Sequence, residues 1–323
     1  LLSVNHISPK LKEEVTMSVY VVGHSSPDTD SVASAIAFAH YLKATGTDAV
    51  PVVQSATLNP ESKLVLDKFG LPQPAEFTDA GGKDVALVDF SDIAQAPANI
   101  KDANVVAIVD HHKIGDITTG GPILFYAKPV GCTCTVLHEM YKNNNVELPK
   151  NIAGAMLCAI LSDTVNFKSP TCTDEDKAAV KALAGIAGVS DTDGLFMEML
   201  KAKSAVDGVP IKDLIFRDYK DFDMGGKKVG ICQLELATLD QVAPMRADLV
   251  KGLEAVKAEG RHSIIMMLTD VVKEGSELLV LSDEPGIIEK AFNGKLSNNT
   301  MWVDGMMSRK KQTVPPLQKA FGA

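Results

Sequence analysis

Four stretches of this chain end in side chains that bind cations or move protons: His24, Asp28 and Asp30 in HSSPDTD, Asp89 after VALV, Asp110, His111 and His112 after VVAIV, and Asp163 in LSDT. Brought together they make five carboxylates and two or three imidazoles. Such a group repels itself, and divalent cations are the simplest remedy. Oxygen and imidazole donors without thiolate favour manganese, magnesium, cobalt or iron over a structural zinc. Roughly seven ligands imply two metals. Two ions about 3.5–4 Å apart can activate a bridging water and neutralise phosphoryl oxygens during in-line displacement. The chemistry that follows is phosphoryl transfer to water.

Each residue also has a plainer reading. Asp30 or Ser31 is a natural N-cap for the helix that follows, Asp89 and the Asp-His-His triplet could open turns, and Asp163 could end a helix. One cap needs only one of His24, Asp28 and Asp30, however. Asp163 follows an almost wholly apolar segment, so its charge needs a partner.

The elements that must position these groups are read from periodicity. Val19–Gly23, Ala49–Val53, Val85–Val88, Val105–Val109 and Ile123–Tyr126 read as strands. Val32–Leu42, Glu61–Phe69 ending at Gly70, Cys134–Lys142, Ile152–Leu161 and Asp174–Ile186 capped by Thr173 read as helices. Alternation of apolar strand and helix predicts an open, mostly parallel sheet flanked by helices, with its chemistry at the strands' carboxyl ends. Around AVDGVP, residues 205–210, the composition changes, which divides the chain into an N-terminal extension (1–16), a catalytic domain (17–205), a hinge linker (206–210) and a smaller α/β domain (211–323). In the last, Lys227–Leu234, Ser263–Leu268 and Leu278–Leu281 read as strands and Asp248–Glu259 as a helix. Residues 1–16 fit neither the later periodicity nor a signal peptide.

The 323 residues carry a net charge of −9, are 46% hydrophobic and include five cysteines. The negative charge argues against nucleic-acid or acidic-membrane binding. No apolar run reaches spanning length, since Ile152–Leu161 meets Ser162 and Asp163 and Ile264–Val272 is broken by Asp270. An odd number of cysteines without a leader pattern predicts free thiols and a cytoplasmic protein, with Cys132 and Cys134 simply buried. Against this acidic background stands SRKKQ, from Ser308 to Gln312. With Lys220, Arg309 and Lys310 could grip a substrate phosphate from the far side of an interdomain cleft. A G-x-S-x-G elbow, a P-loop and a dinucleotide fingerprint are all missing.

Six segments, VVGHSSPDTDSVASAIA, VALVDF, IVDHHK, LSDTVNFKSPTCT, RDYKDF and SRKKQ, occur in an order and spacing that resembles family II inorganic pyrophosphatases of the DHH phosphoesterase superfamily. The resemblance implies hydrolysis of pyrophosphate to two phosphates. It implies one metal on His24, Asp28 and Asp89 and a second on Asp30, Asp89, His111 and Asp163, with Asp89 as the bridge. His112 would contact phosphate and donate a proton, Asp110 would support it, and Lys220, Ser308, Arg309 and Lys310 would bind substrate. Two Mn2+ per subunit (Co2+ as substitute), Mg2+ arriving with pyrophosphate, and a homodimer formed through the N-terminal domain are implied as well. His6, His40, His138 and His262 match no motif and read as structural or exposed. The alternative is a DHH-type phosphoesterase or exopolyphosphatase acting on a longer phosphoanhydride or a nucleotide.

Overall fold

The structure, a computed structural model, describes residues 18–169 and 171–322. The sixteen-residue extension and His6 lie outside the described residues. By internal contacts the chain divides into two units between Met199 and Leu200.

The first unit comprises β1 (Val19–Val22), α1 (Thr29–Ala44), β2 (Ala49–Val53), α2 (Pro60–Phe69), β3 (Ala75–Glu76), β4 (Asp84–Val88), β5 (Asn104–Asp110), β6 (Leu124–Ala127), α3 (Thr133–Asn143), α4 (Lys150–Asp163), α5 (Asp174–Ala187) and the start of α6 (Thr192–Lys203). Its six strands are parallel in the order β3-β2-β1-β4-β5-β6. That order runs outward in both directions from the β1–β4 pair. Between those strands lies the topological switch point, where the connections run off in opposite directions along the sheet and a crevice opens at the carboxyl ends. The predicted open α/β sheet is therefore present.

Alternation along the strands sorts the side chains by face. Val22, Val85, Leu87, Val105 and Ile108 join Val52, Phe77, Phe90 and Ile100 in one apolar cluster. Helix α1 packs on α3 and α4, and the segment Ile152–Leu161 of α4 is buried on every side. A helix that is apolar all round belongs in the interior. Full burial of each such Leu, Ile or Met contributes about 1.5–3 kcal/mol, which fixes the end of α4 and hence Asp163.

Local signals set the helix ends. Asn59 caps α2 by accepting from Ser62 N, and Gly70 closes it with φ 62°. Thr173 and Asp176 form a reciprocal capping box at α5. At α1 the expected cap is corrected: Asp28, not Asp30 or Ser31, accepts from Ser31 N at 3.0 Å. Asp30 is already committed to other amides, as described below.

The second unit contains α7 (Ile211–Phe216), β7 (Tyr219–Met224), β8 (Lys227–Leu236), α8 (Arg246–Ala258), β9 (Ser263–Asp270), β10 (Gly275–Ser282), α9 (Pro285–Phe292), β11 (Thr300–Asp304) and α10 (Val314–Phe321). Its sheet is mixed, in the order β11-β10-β9-β8-β7, with β8 and β9 parallel and the other pairs antiparallel. Cys232, Leu234, Ile264 and Met266 face Leu214, Leu249 and Leu253. Val229, Ile231, Ile265 and Met267 pack with Ile288 and Leu317. Strand β7 escaped periodicity because its residues are mostly half-exposed, yet Gly225-Gly226, both at positive φ, mark the two-residue turn into β8. No helix among the described residues is long and apolar enough to cross a membrane.

Candidate metal centre

The loop after β1 brings His24 and Asp28, the start of α1 brings Asp30, the residue after β4 is Asp89, the end of β5 brings Asp110, His111 and His112, and the end of α4 brings Asp163. His24, Asp28 and Asp89 can offer one ligand atom each within 4.8 Å of one another, and so can Asp30, His111 and Asp163. His24 Nε2 lies 3.3 Å from Asp89 Oδ2 and 3.6 Å from Asp28 Oδ1. His111 Nε2 lies 3.4 Å from Asp89 Oδ1. Asp89 thus faces both imidazoles with different oxygens. Together with His112, Gln95, Gly131 and Thr171, five of these residues line a cavity of about 180 Å³.

Several backbone features make this convergence possible. Asp89 holds φ 67°, a left-handed conformation that turns the chain sharply as it leaves β4 while Asp89 N still donates to Val109 O. Such a conformation costs a non-glycine residue about 1–2 kcal/mol and is concentrated at functional sites. Gly23 allows β1 to pass beside α1, because a Cβ there would sit 1.9 Å from Ser31 Oγ. Buried Glu61 accepts from Thr29 Oγ1 and Ser162 Oγ, both at 2.6 Å, tying together the neighbours of Asp30 and Asp163. After Asp163, the residues Val165, Asn166 and Phe167 all hold positive φ.

The electrostatics are those of a cation site. Asp30 and Asp89 are almost wholly buried. Burial first, and then the Asp30, Asp28 and Asp89 charges, push Asp163 well above the usual carboxylate range. Burial alone would lower the two imidazoles; instead Asp28 and Asp89 hold His24 up to about 10, and Asp89 and Asp30 hold His111 up to about 9. Without a metal, imidazolium supplies the positive charge. His111 Nδ1 lies 3.0 Å from Val130 O, and a proton donated there leaves Nε2 free as a ligand. Cys132 and Cys134 also neighbour Asp30, but both are buried, burial keeping Cys132 far above its ordinary value and pushing Cys134 up to about 12. As neutral thiols they add no charged ligand, and the oxygen and nitrogen donors that remain suit Mn2+ or Mg2+.

His112 points its Nδ1 at Asp110 Oδ1, 3.0 Å away, and that carboxylate, opposed by burial, raises the imidazole above its ordinary value. Asp110 Oδ1 also accepts the His111 and His112 amides. Asp110 thereby braces the two histidines that follow it. In the second unit, Lys220 is exposed on β7, Ser308 accepts from Lys311 N, and Arg309 and Lys310 begin a π-helical turn, Arg309–Thr313. The Arg309 guanidinium is braced by Asp218, with Nη1 donating to the carbonyl and Nη2 to the carboxylate, both at 2.6 Å. His40 bonds Tyr141, and His262 bonds Ser263 and Glu284. Sequence reasoning missed Gln95, Thr171, Thr133 and Asp176. The first two lie outside the segments read from periodicity, and Thr133 stands just before the helix read from Cys134.

Comparison with known proteins defines the class first. Residues 18–160 match the DHH family, N-terminal domain, and residues 197–320 match the DHHA2 domain. The chain is 51% identical over 316 residues to a probable manganese-dependent inorganic pyrophosphatase of Archaeoglobus fulgidus, covering 94% of this chain and 98% of that protein. It is 46% identical over 307 residues to the manganese-dependent inorganic pyrophosphatase of Methanothrix thermoacetophila, with 94% and 98% coverage. The crystal structure of a Methanococcus jannaschii putative family II inorganic pyrophosphatase aligns with TM-score 0.60 and 45% identity, covering 94% of this chain and 99% of that one. This chain belongs to the manganese-dependent, family II inorganic pyrophosphatases. A Bacteroides fragilis exopolyphosphatase-related protein, 12% identical with TM-score 0.50 and coverage of 96% and 93%, shares the fold.

Proposed function

We propose that the protein hydrolyses inorganic pyrophosphate to two phosphates in the cytoplasm, using manganese held at the β1–β4 switch point. The observation that carries this reading is the convergence of His24, Asp28, Asp30, Asp89, His111 and Asp163 in a chain half identical to a relative of that name. His24, Asp28 and Asp89 would hold one cation and Asp30, Asp89, His111 and Asp163 the other, with Co2+ as a substitute and Mg2+ accompanying the substrate. Cations bound there would lower the pKa of a water and neutralise charge on the phosphoryl oxygens. Asp110 orients His112 and favours its charged form, so that His112 binds a phosphate oxygen and delivers a proton to the departing phosphate. Lys220, Ser308, Arg309 and Lys310 grip the substrate, Arg309 with a planar guanidinium already oriented by Asp218. The basic group and the metal ligands belong to different units, so turnover requires closure, with residues 206–210 as the hinge.

Rates with Mn2+ on pyrophosphate, tripolyphosphate and a cyclic dinucleotide test the substrate. Pyrophosphate is expected to be fastest; preference for either of the others overturns the assignment in favour of a longer phosphoanhydride or a nucleotide. A homodimer through the first unit is supported by β6, an edge strand that exposes Leu124 and Phe125. Light scattering should give twice the chain mass, and a monomer at assay concentration removes this part of the reading.

A further inference from the structure

Three of the candidate ligands lean on one short stretch. Val130 O lies 3.0 Å from His111 Nδ1. Thr133 N and Cys134 N donate to Asp30 Oδ2 and Oδ1 at 2.7 and 3.1 Å, so each oxygen of that buried carboxylate is held by a different amide. Thr133 Oγ1 donates to Asp89 Oδ1 at 3.1 Å. These amides open α3, whose N-cap Cys132 provides no side-chain bond, so Asp30 caps a helix a hundred residues away in sequence. A carboxylate fixed through both oxygens cannot rotate, and one fixed by a hydroxyl has a preferred rotamer.

The stretch is itself anchored. Asp176, fully buried, accepts from Gly131 N at 2.9 Å and from Thr135 Oγ1 at 2.6 Å, while Thr173 N and Oγ1 supply two more bonds at 2.7 Å. Gly131 leaves space for this carboxylate, since a Cβ there would meet Asp176 Oδ2 at 2.9 Å and Thr164 Cγ2 at 2.7 Å. The α5 cap thereby fixes the backbone that fixes the ligands. None of these groups reaches the cavity as a charged ligand; they act on the ligands.

We propose that Thr133 is a positioning residue of the metal centre, setting the orientation of Asp89, and that Asp176 holds the Val130–Thr135 stretch in the register this requires. The proposal rests on the reading of the cluster as a manganese site. Partners of this kind contribute about 10- to 100-fold in metal affinity when they orient a ligand. Thr133→Val keeps the shape and the backbone amide and removes only the hydroxyl.

Mn2+ titration calorimetry on metal-free wild type, Thr133→Val, Thr133→Ser and Asp176→Asn tests this, with thermal unfolding of each metal-free protein alongside. Thr133→Val is expected to bind Mn2+ about 10- to 100-fold more weakly while unfolding near the wild-type temperature, and Thr133→Ser to restore the affinity. Asp176→Asn should lower both affinity and unfolding temperature. Wild-type affinity in Thr133→Val, or a loss that Thr133→Ser fails to restore, overturns the positioning role. A wild type that takes up no Mn2+ overturns the functional reading itself, so the two failures are distinct.

Discussion

Asp89 combines a strained backbone, near-complete burial and two imidazoles on opposite oxygens. In the proposed two-metal reading its carboxylate is the shared anion of the centre. Asp89→Ala is therefore expected to cut Mn2+-dependent turnover by about 10³-fold or more, the upper range for removing one preorganised electrostatic partner. Arg309 differs in kind, because its proposed partner is substrate rather than metal. Arg309→Ala should raise KM or lower kcat while leaving Mn2+ affinity unchanged, and steady-state kinetics beside a metal titration separates the two cases. Turnover and KM both intact in Arg309→Ala would remove it from the substrate grip.

At the scale of elements, the first βα unit depends on a close approach that only glycine permits. The Gly23 position lies between β1 and His24, and a methyl group would drive against Ser31 on α1. Gly23→Ala is expected to destabilise the protein by about 1–3 kcal/mol, the usual cost of overpacking, and to displace His24. Denaturant unfolding without metal measures the first effect and Mn2+ titration the second; an unchanged midpoint would show that α1 yields freely. Helix α4 illustrates the converse case. Its apolar segment Ile152–Leu161 is buried throughout, and burial is the first reason why Asp163 at its end is shifted so far.

Over the whole molecule, metal binding and stability are linked. A ligand that binds only the folded state at a hundred times its Kd contributes about 2.7 kcal/mol. Mn2+ should raise the unfolding temperature of the unit that holds the centre, and a chelator should reverse this. Calorimetry with and without Mn2+ measures this, and a thermogram indifferent to Mn2+ would count against a site built from buried carboxylates.

Period-two and helical patterns located β1, β2, β4, β5, β6, β8, β9 and β10 and helices α1 to α5 and α8, because an amphipathic or apolar repeat is a local property of the chain. The same patterns placed Asp89, His111 and Asp163 at the ends of elements, where polar groups bearing chemistry belong. Edge elements such as β7 and β11 stayed hidden, since a half-exposed strand has little alternation to read. Strand order lay beyond local reasoning altogether. It takes pairing between Tyr20 and Val85, 65 positions apart, to set His24 beside Asp89. The assignment of caps shows the division most clearly. Residue type marked Asp30 or Ser31 as the cap of α1, but the amides of Thr133 and Cys134 claim Asp30 and leave α1 to Asp28. Which acceptor serves which donor is a competition decided by what folding brings close, and the donors here arrive from over a hundred residues away.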